Sequence, residues 1–177
     1  MKKTILALTI AATYGTTLPA FANDKDIWVA GFSEFYSADK DKFEYTPQDN
    51  SNLGWGFELG ERLNQTWGWR FEYARIDLDA FAGQPSIDGN RFGLDALYFI
   101  NESNTYVFTG LKHEGLDKGY GLVNLGLGKH WQLSDKWQLV TEVAAYHDFG
   151  QAHKDYSAKV GFVTIDPWAV KANCFAA

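Results

Sequence analysis

From Ile27 onward the chain alternates apolar residues with polar or very small ones, in short segments separated by polar breaks, which is the period of a strand and not of a helix. Leu53, Trp55, Phe57 and Leu59 alternate with Gly54, Gly56, Glu58 and Gly60, and Trp67, Trp69, Phe71 and Tyr73 with Gly68, Arg70, Glu72 and Ala74. Further on, Phe92, Leu94, Ala96, Tyr98 and Ile100 alternate with Arg91, Gly93, Asp95, Leu97 and Phe99. Val123, Leu125, Leu127 and Trp131 stand against Asn124, Gly126, Gly128 and His130, and Trp137, Leu139, Val143 and Ala145 against Gln138, Glu142, Ala144 and Tyr146. Three less regular segments, at about 27–36, 105–113 and 156–165, each still supply one apolar face, which brings the expected strands to eight.

The breaks are long at 37–51, short at 62–66, long at 77–90, short at 101–104, intermediate at 114–119, short at 133–136 and long at 148–155. Such alternation is that of an up-and-down barrel whose short turns share one end with both termini. The first long break is strongly charged, with Asp39, Lys40, Asp41, Lys42 and Glu44. The short ones carry Asn64-Gln65, Asn101-Glu102-Ser103-Asn104 and Ser134-Asp135-Lys136, residues suited to tight hairpins.

The expected fold is therefore all-β, an eight-stranded antiparallel up-and-down β-barrel, and the second face of the strands decides its kind. A soluble sheet would cover its outer face with long solvated side chains, whereas here that face is glycine interleaved with single charges. Glycine leaves room in a crowded lumen, and charges in a lumen need partners. Glu58, Glu72, Asp95 and Glu142 are matched there by Arg70, Lys112 and Lys159, a nearly neutral set, since an unpaired buried charge costs several kcal/mol. With the charged face inside, the apolar face meets lipid, and the barrel is expected to be transmembrane. Aromatic residues gather beside the short turns: Trp67, Trp69, Tyr98, Tyr106, Trp131 and Trp137 are expected to form an interfacial girdle, where amphipathic rings are best placed.

The N-terminus adds an export signal. Lys2 and Lys3 precede an apolar, charge-free stretch from Thr4 to about Leu18 that ends in Pro19-Ala20-Phe21-Ala22, the pattern of a secretory signal peptide cleaved after Ala22. Residues 1–22 are thus read as the leader, 23–165 as the barrel and 166–177 as an irregular tail. Aromatic residues make up 16% of the chain and glycine occurs 17 times, which suits a barrel. A mean hydropathy of −0.29 does not argue against one, because strands place their apolar residues at every second position. Cys174 is alone, so no internal disulfide forms. The net charge of −6 argues against nucleic acid as a partner.

The segments LGWGFELGERLNQTWGWRFEYARID and YSAKVGFV, following a signal peptide, resemble the second, third and last strands of the N-terminal transmembrane barrel of the OmpA/OprF family. The resemblance covers essentially the whole mature chain. It implies a non-enzymatic outer-membrane protein with a structural role in envelope integrity and at most a narrow ion path. It also implies that Glu72, Lys112, Glu142 and Lys159 belong to a lumenal ion network that closes or gates the barrel. Two features depart from the family. The chain stops before a periplasmic peptidoglycan-binding domain could begin. After Gly161, the positions where the family places aromatic or apolar residues hold Thr164 and Asp166, and Pro167 then ends the ladder for want of an N–H. Such a tail would fit a truncated or frame-shifted gene product.

The expected partners are outer-membrane lipid and lipopolysaccharide, the barrel assembly machinery, and external molecules reached through loops 37–51 and 77–90, with the barrel itself a monomer. Other classes remain open. An adhesin-type barrel would bind through those same loops. A lipid-A-modifying enzyme would need a base and nucleophile at the outer rim, where His113, His147, His153, Ser157 and Glu114 are the candidates. A soluble periplasmic β-barrel is a further alternative. His113, His130, His147 and His153 include no pair at metal-ligand spacing within one element, so no metal or other cofactor is expected. The glycines of GYGLVNLGLG, residues 119–128, fit lumen-facing or turn positions better than a nucleotide loop.

Overall fold

The structure, a computed structural model, describes residues 26–42, 51–78, 87–100, 103–116 and 118–165. The expected leader over 1–22 and tail over 166–177 lie outside the described residues, as do 43–50 and 79–86 of the two long loops. Eight strands run in sequence: β1 (Asp26–Ser37), β2 (Ser51–Arg62), β3 (Trp67–Leu78), β4 (Ile87–Ile100), β5 (Thr105–Gly115), β6 (Gly119–Gln132), β7 (Trp137–Asp148) and β8 (Lys154–Ile165). Each pairs antiparallel with the next, and β8 returns to β1, so the sheet closes as an up-and-down barrel without a free edge. The turns after β2, β4 and β6 lie at the end that also holds the start of β1 and the finish of β8; the connections after β1, β3, β5 and β7 lie at the other end, and of these only the one after β5, residues 116–118, is as short as a tight turn. These are called here the turn end and the loop end.

The wall has inverted polarity. On β2, Leu53, Trp55, Phe57 and Leu59 are 67, 56, 46 and 40% exposed, whereas Gly54, Gly56, Glu58 and Gly60 between them are buried. The same parity holds on β8, where Phe162 is 58% exposed and Lys159 is buried. The lumen is layered along its axis. Trp28, Leu97, Phe99, Tyr106, Val140 and Val163 fill it near the turn end, and Tyr36, Ile76, Leu78, Tyr120, Leu122 and Tyr146 near the loop end. Charged side chains occupy the middle.

Inward rings lie over glycines on the neighbouring strand. Trp28 stands opposite Gly60, and Phe32 stands between Gly56 on β2 and Gly161 on β8. Tyr106 and Phe108 face Gly128 and Gly126. A Cβ on Gly60 would lie 2.2 Å from Trp28 Cζ2, and one on Gly126 would lie 2.2 Å from Phe108 Cζ, so no larger residue fits without moving a ring. This explains two of the three irregular segments in sequence, β1 and β5: both of their faces carry apolar residues, and the compensating small residues sit on other strands.

Two of the turns share one design. Leu63 and Asn64 donate their amides to the Trp67 carbonyl at 2.9 and 3.3 Å, and Leu133 and Ser134 donate to the Trp137 carbonyl at 3.0 Å each. The side chain after each leucine closes the turn: Asn64 Oδ1 accepts from the amides of Thr66 and Trp67 at 2.8 Å, and Ser134 Oγ from that of Trp137 at 3.2 Å. In the β4–β5 turn Asn104 adopts a φ of 53°, the left-handed conformation that asparagine tolerates better than most residues.

The glycine–aromatic fit is tested by substitution. Gly60→Val is expected to cost about 1–3 kcal/mol by overpacking against Trp28. Gly31→Ala, on the outward face with nothing within 4 Å of its added Cβ, is expected to stay within about 0.5 kcal/mol of the parent. Urea titration followed by heat-modifiable gel mobility measures both, and equal effects at the two sites would contradict the packing account.

Candidate functional site in the lumen

The seven charged residues expected in the lumen all point inward and form one connected set. Arg70 on β3 is its hub. Its Nε donates to Asp95 Oδ2 at 2.7 Å, its Nη1 to Glu58 Oε2 at 3.2 Å and also to Glu142, and its Nη2 lies 3.7 Å from Glu72 Oε2. Because Glu142 is on β7, four strands away in an eight-stranded ring, this bond crosses the lumen. Lys159 on β8 donates to Glu58 at 2.7 Å, Glu72 at 2.9 Å and Glu142 at 2.8 Å. Lys112 on β5 reaches Asp95 at 2.8 Å and Glu72 at 3.3 Å.

A further ion pair belongs to the same network. Arg91 on β4 grips both oxygens of Glu34 on β1, at 2.8 and 2.6 Å, and lies 3.7 Å from Glu72. Arg91 has the inward parity on its strand; Glu34 sits on β1, whose alternation the aromatic residues obscure. With this pair the network among the described residues joins five carboxylates to four cations. Neutral donors fill the remaining acceptor positions: Trp28 Nε1 donates to Glu58 at 3.2 Å, Asn124 Nδ2 to Asp95 at 2.9 Å, and the Tyr106 hydroxyl to Glu142. Arg70 is 1% exposed and Glu58 0%, so these partners replace water.

A second cluster closes the loop end, and nothing in the strand period announces it. The connection after β1 turns back through a single 3-10 turn, Lys40–Lys42, and puts Lys42 inside the barrel mouth. Its Nζ donates to Glu114 Oε1 at 2.6 Å and to Asp155, and stands 4.8 Å from the centre of the Tyr120 ring. The Tyr36 hydroxyl donates to the other Glu114 oxygen at 2.5 Å, and the Tyr120 hydroxyl to the Lys42 carbonyl at 2.7 Å. Asp39 fastens the same loop from outside: its amide donates to Asp155 at 2.8 Å, and its carboxylate accepts from the Lys154 amide at 3.0 Å and the Asp41 amide at 3.1 Å.

One expected girdle residue is misplaced. Tyr106 is fully buried in the lumen, because it shares the parity of Phe108 and Lys112; the outward position opposite Tyr98 is held by Val107. Trp67, Trp69, Tyr98, Trp131 and Trp137 do lie on the outward face beside the short turns. Trp67 and Tyr98 pack edge to face at 5.1 Å, Trp69 Nε1 donates to Glu61 at 3.1 Å, and Trp131 Nε1 donates to Thr141 at 2.9 Å.

The rim residues considered for lipid chemistry are not gathered. His147 points outward, whereas Ser157 points inward and shares a hydrogen bond with Tyr146 at 3.1 Å, so the barrel wall separates them. His153 pairs with Gln151 at 2.9 Å, and Glu114 is engaged by Lys42 and Tyr36. His130 is buried near the turn end among Trp28, Phe99 and Tyr106, with its Nε2 unpaired among the described residues. Gly126 and Gly128 face the lumen as expected, but Gly121 faces outward.

No family model matches the chain, and no curated protein does either. Solved structures do. The N-terminal β-barrel domain of Pseudomonas aeruginosa OprF matches with a TM-score of 0.56 at 16% identity, over 80% of this chain and 98% of that one. The outer membrane protein OprG from Pseudomonas aeruginosa matches with a TM-score of 0.56 at 12% identity, over 81% and 96%. The outer membrane protein AlkL, solved in lipid bilayers, matches with a TM-score of 0.54 at 12% identity, over 86% and 96%. At these identities the likeness is one of fold: this chain has the eight-stranded barrel that the OmpA/OprF resemblance implied.

The network predicts a steep asymmetry between inward and outward cations. Lys159→Met leaves three carboxylates short of their shared cation and is expected to cost about 3–5 kcal/mol. Arg75→Ala, whose exposed partners are Asp77 and Asp88, is expected to cost at most about 1 kcal/mol. Equal urea midpoints for the two variants would contradict this. The Asp39 carboxyl is held below the usual carboxylate range, chiefly by the amide of Lys154 and secondarily by that of Asp41, against a modest burial penalty. Its tie is therefore complete above the unfolded value of about 4 and is lost as pH falls through the lower folded value. The protection of the Lys154 amide against exchange, taken relative to its intrinsic rate at each pH, should fall on that acid side, and Asp39→Asn should remove this fall.

Proposed function

We propose that this chain is an integral outer-membrane β-barrel, inserted as a monomer, whose role is structural: a closed, internally ion-paired barrel that contributes to envelope integrity and presents its loop end for surface contacts. One observation carries the reading, the inverted polarity of the wall. Large apolar side chains ring the outside while paired charges fill the inside. In water that arrangement is unfavourable on both counts, since each exposed apolar residue forgoes about 1.5–3 kcal/mol of burial. In lipid it is the required one. A soluble periplasmic barrel would carry the opposite pattern.

The dimensions agree. On β8 the outward positions from Tyr156 to Thr164 are uncharged, and on β4 those from Phe92 to Ile100. Each run extends about 26 Å along its strand and roughly 20 Å along the axis of a tilted barrel, before the side chains at its ends are added. Trp67, Trp69, Tyr98, Trp131 and Trp137 then act as the interfacial girdle on the turn side, and the turn end faces the periplasm. Export by a signal peptide and insertion by the barrel assembly machinery are part of the same proposal. The solved neighbours with the same fold include proteins described as outer membrane proteins, which supports it.

An eight-stranded barrel is only just wide enough for side chains to fill its interior. Here the charged layer and the Lys42 cluster occupy that interior, which favours a closed strut or a narrow ion path over a diffusion pore. The adhesin reading keeps the same barrel and assigns binding to loops 37–51 and 77–90. The separation of His147 from Ser157 weighs against the enzyme reading.

Membrane fractionation with heat-modifiable gel mobility tests the core of the proposal. The protein is expected in the outer-membrane fraction, migrating faster before boiling than after. Recovery in the soluble fraction with no mobility shift would overturn it. In planar bilayers the parent should show conductance far below that of a general porin, and wide, stable channels would contradict the closed lumen.

A further inference from the structure

The outward rim at the loop end is electrically uneven. On the β3–β4 side the cation, Arg75, is already met by two carboxylates, Asp77 at 3.1 Å and Asp88 at 3.4 Å. On the β5–β8 side the outward basic side chains make no ion pair among the described residues, and the nearest carboxylate, that of Asp39, is engaged by the Lys154 and Asp41 amides. Lys154 on β8 and His147 on β7 are directly opposed in register and both point outward, and neither side chain has an ion-pair partner among the described residues. His113 on β5 also points outward, on the far side of β6. On β6 the outward positions beside them are Gly121, opposite His113, and Val123, opposite His147, with Gly119 one pair further toward the loop, so that a shallow notch opens over the two glycines. A Cβ on Gly119 would come within 3.3 Å of the His113 ring, and one on Gly121 within 3.5 Å of the Phe149 ring.

This notch sits at the upper edge of the uncharged belt. Immediately below it the outward surface is apolar and open, with Leu125 66% and Tyr156 56% exposed. A lysine flanked by imidazole donors at the rim of an apolar belt fits an amphiphile whose phosphate lies at the headgroup level and whose acyl chains run down the wall. The notch also has a length. From β5 to β7 is two strand spacings, about 10 Å, so Lys154 with His147 forms one donor pole and His113 a second, set apart by roughly the length of a disaccharide.

We propose that the β5–β8 sector of the loop-end rim is a docking site for lipid A. Lys154 and His147 hold one phosphate of its bis-phosphorylated disaccharide, His113 donates toward the other, and the acyl chains lie against the apolar wall. The proposal rests on the outer-membrane reading and names the lipid and the sector that reading leaves open. The Arg75 sector, neutralised by its own acids, does not bind it.

The full chain is reconstituted into phosphatidylcholine vesicles containing bis-phosphorylated lipid A, extracted with mild detergent, and examined by native mass spectrometry for retained lipid. Parallel vesicles contain dephosphorylated lipid A or phosphatidylglycerol. The parent should retain lipid A and neither of the other two. His113→Ala/His147→Ala/Lys154→Ala should reduce retention about tenfold, as loss of charge-assisted hydrogen bonds to a phosphate would. Arg75→Ala should leave it unchanged. Retention by the triple variant equal to the parent's, equal loss in Arg75→Ala, or equal retention of the dephosphorylated lipid or phosphatidylglycerol would each overturn the site. Every variant is first checked for heat-modifiable mobility. Should the triple variant not fold, Lys154→Glu, an outward single change, is read in the same assay. Failure of the parent itself to enter vesicles would instead sink the outer-membrane reading.

Discussion

A wall that turns its apolar residues outward must place its polar ones in a space too narrow for bulk water, and every charge in that space must find its partner from the protein. The network around Arg70 answers this constraint. Arg70 collects carboxylates from β2, β3, β4 and β7, and Lys159 binds three of the same groups from β8. Three of these bonds, Arg70 to Glu142 and Lys159 to Glu58 and Glu72, join strands that are not neighbours, so they tie the two sides of the barrel together in a way the backbone ladder does not. Removing a single member costs more than its own bonds, since the partners are left charged and dry.

The layers above and below make the network tenable. Rings and aliphatic side chains near both ends of the lumen shield the ion pairs and leave few competing waters, which strengthens each charge–charge contact. The rings fit because they lie on glycines: the Trp28–Gly60 and Phe32–Gly56 pairs give a small barrel enough width for large residues. Lys42 performs the corresponding task at the loop end, where a carboxylate on β5 and another on β8 approach one another and a cation from the first loop is inserted between them.

Much of this was legible in the sequence because the strand period is two. Parity alone assigns Glu58, Arg70, Glu72, Asp95, Lys112, Glu142 and Lys159 to one side, and in a closed barrel one side is one small volume, so residues remote in sequence must meet. Parity does not reveal which pairs form, since that depends on stagger around the ring. It failed where a lumen-facing residue is aromatic. Tyr106 beside a short turn reads like a girdle residue, and only its glycine partner on β6, Gly128, explains its inward position. Glu34 was hidden in the same way by Trp28, Phe32 and Tyr36 on β1. Lys42 lies in a charged connection where no period operates, and its burial rests on a backbone turn no local signal marks.

Lys159 lies on the last strand, and the groups it binds lie on β2, β3 and β7. While the chain emerges in order from its first strand to its seventh, those three carboxylates share only Arg70, Lys112 and the more distant Arg91, which also holds Glu34, and their electrostatic account stays open. Docking of β8 closes the hydrogen-bonded ring and delivers the missing ammonium in the same event. Completion of the barrel is thereby coupled to neutralisation of its interior, and a chain that stalls one strand short stays electrostatically marked as unfinished.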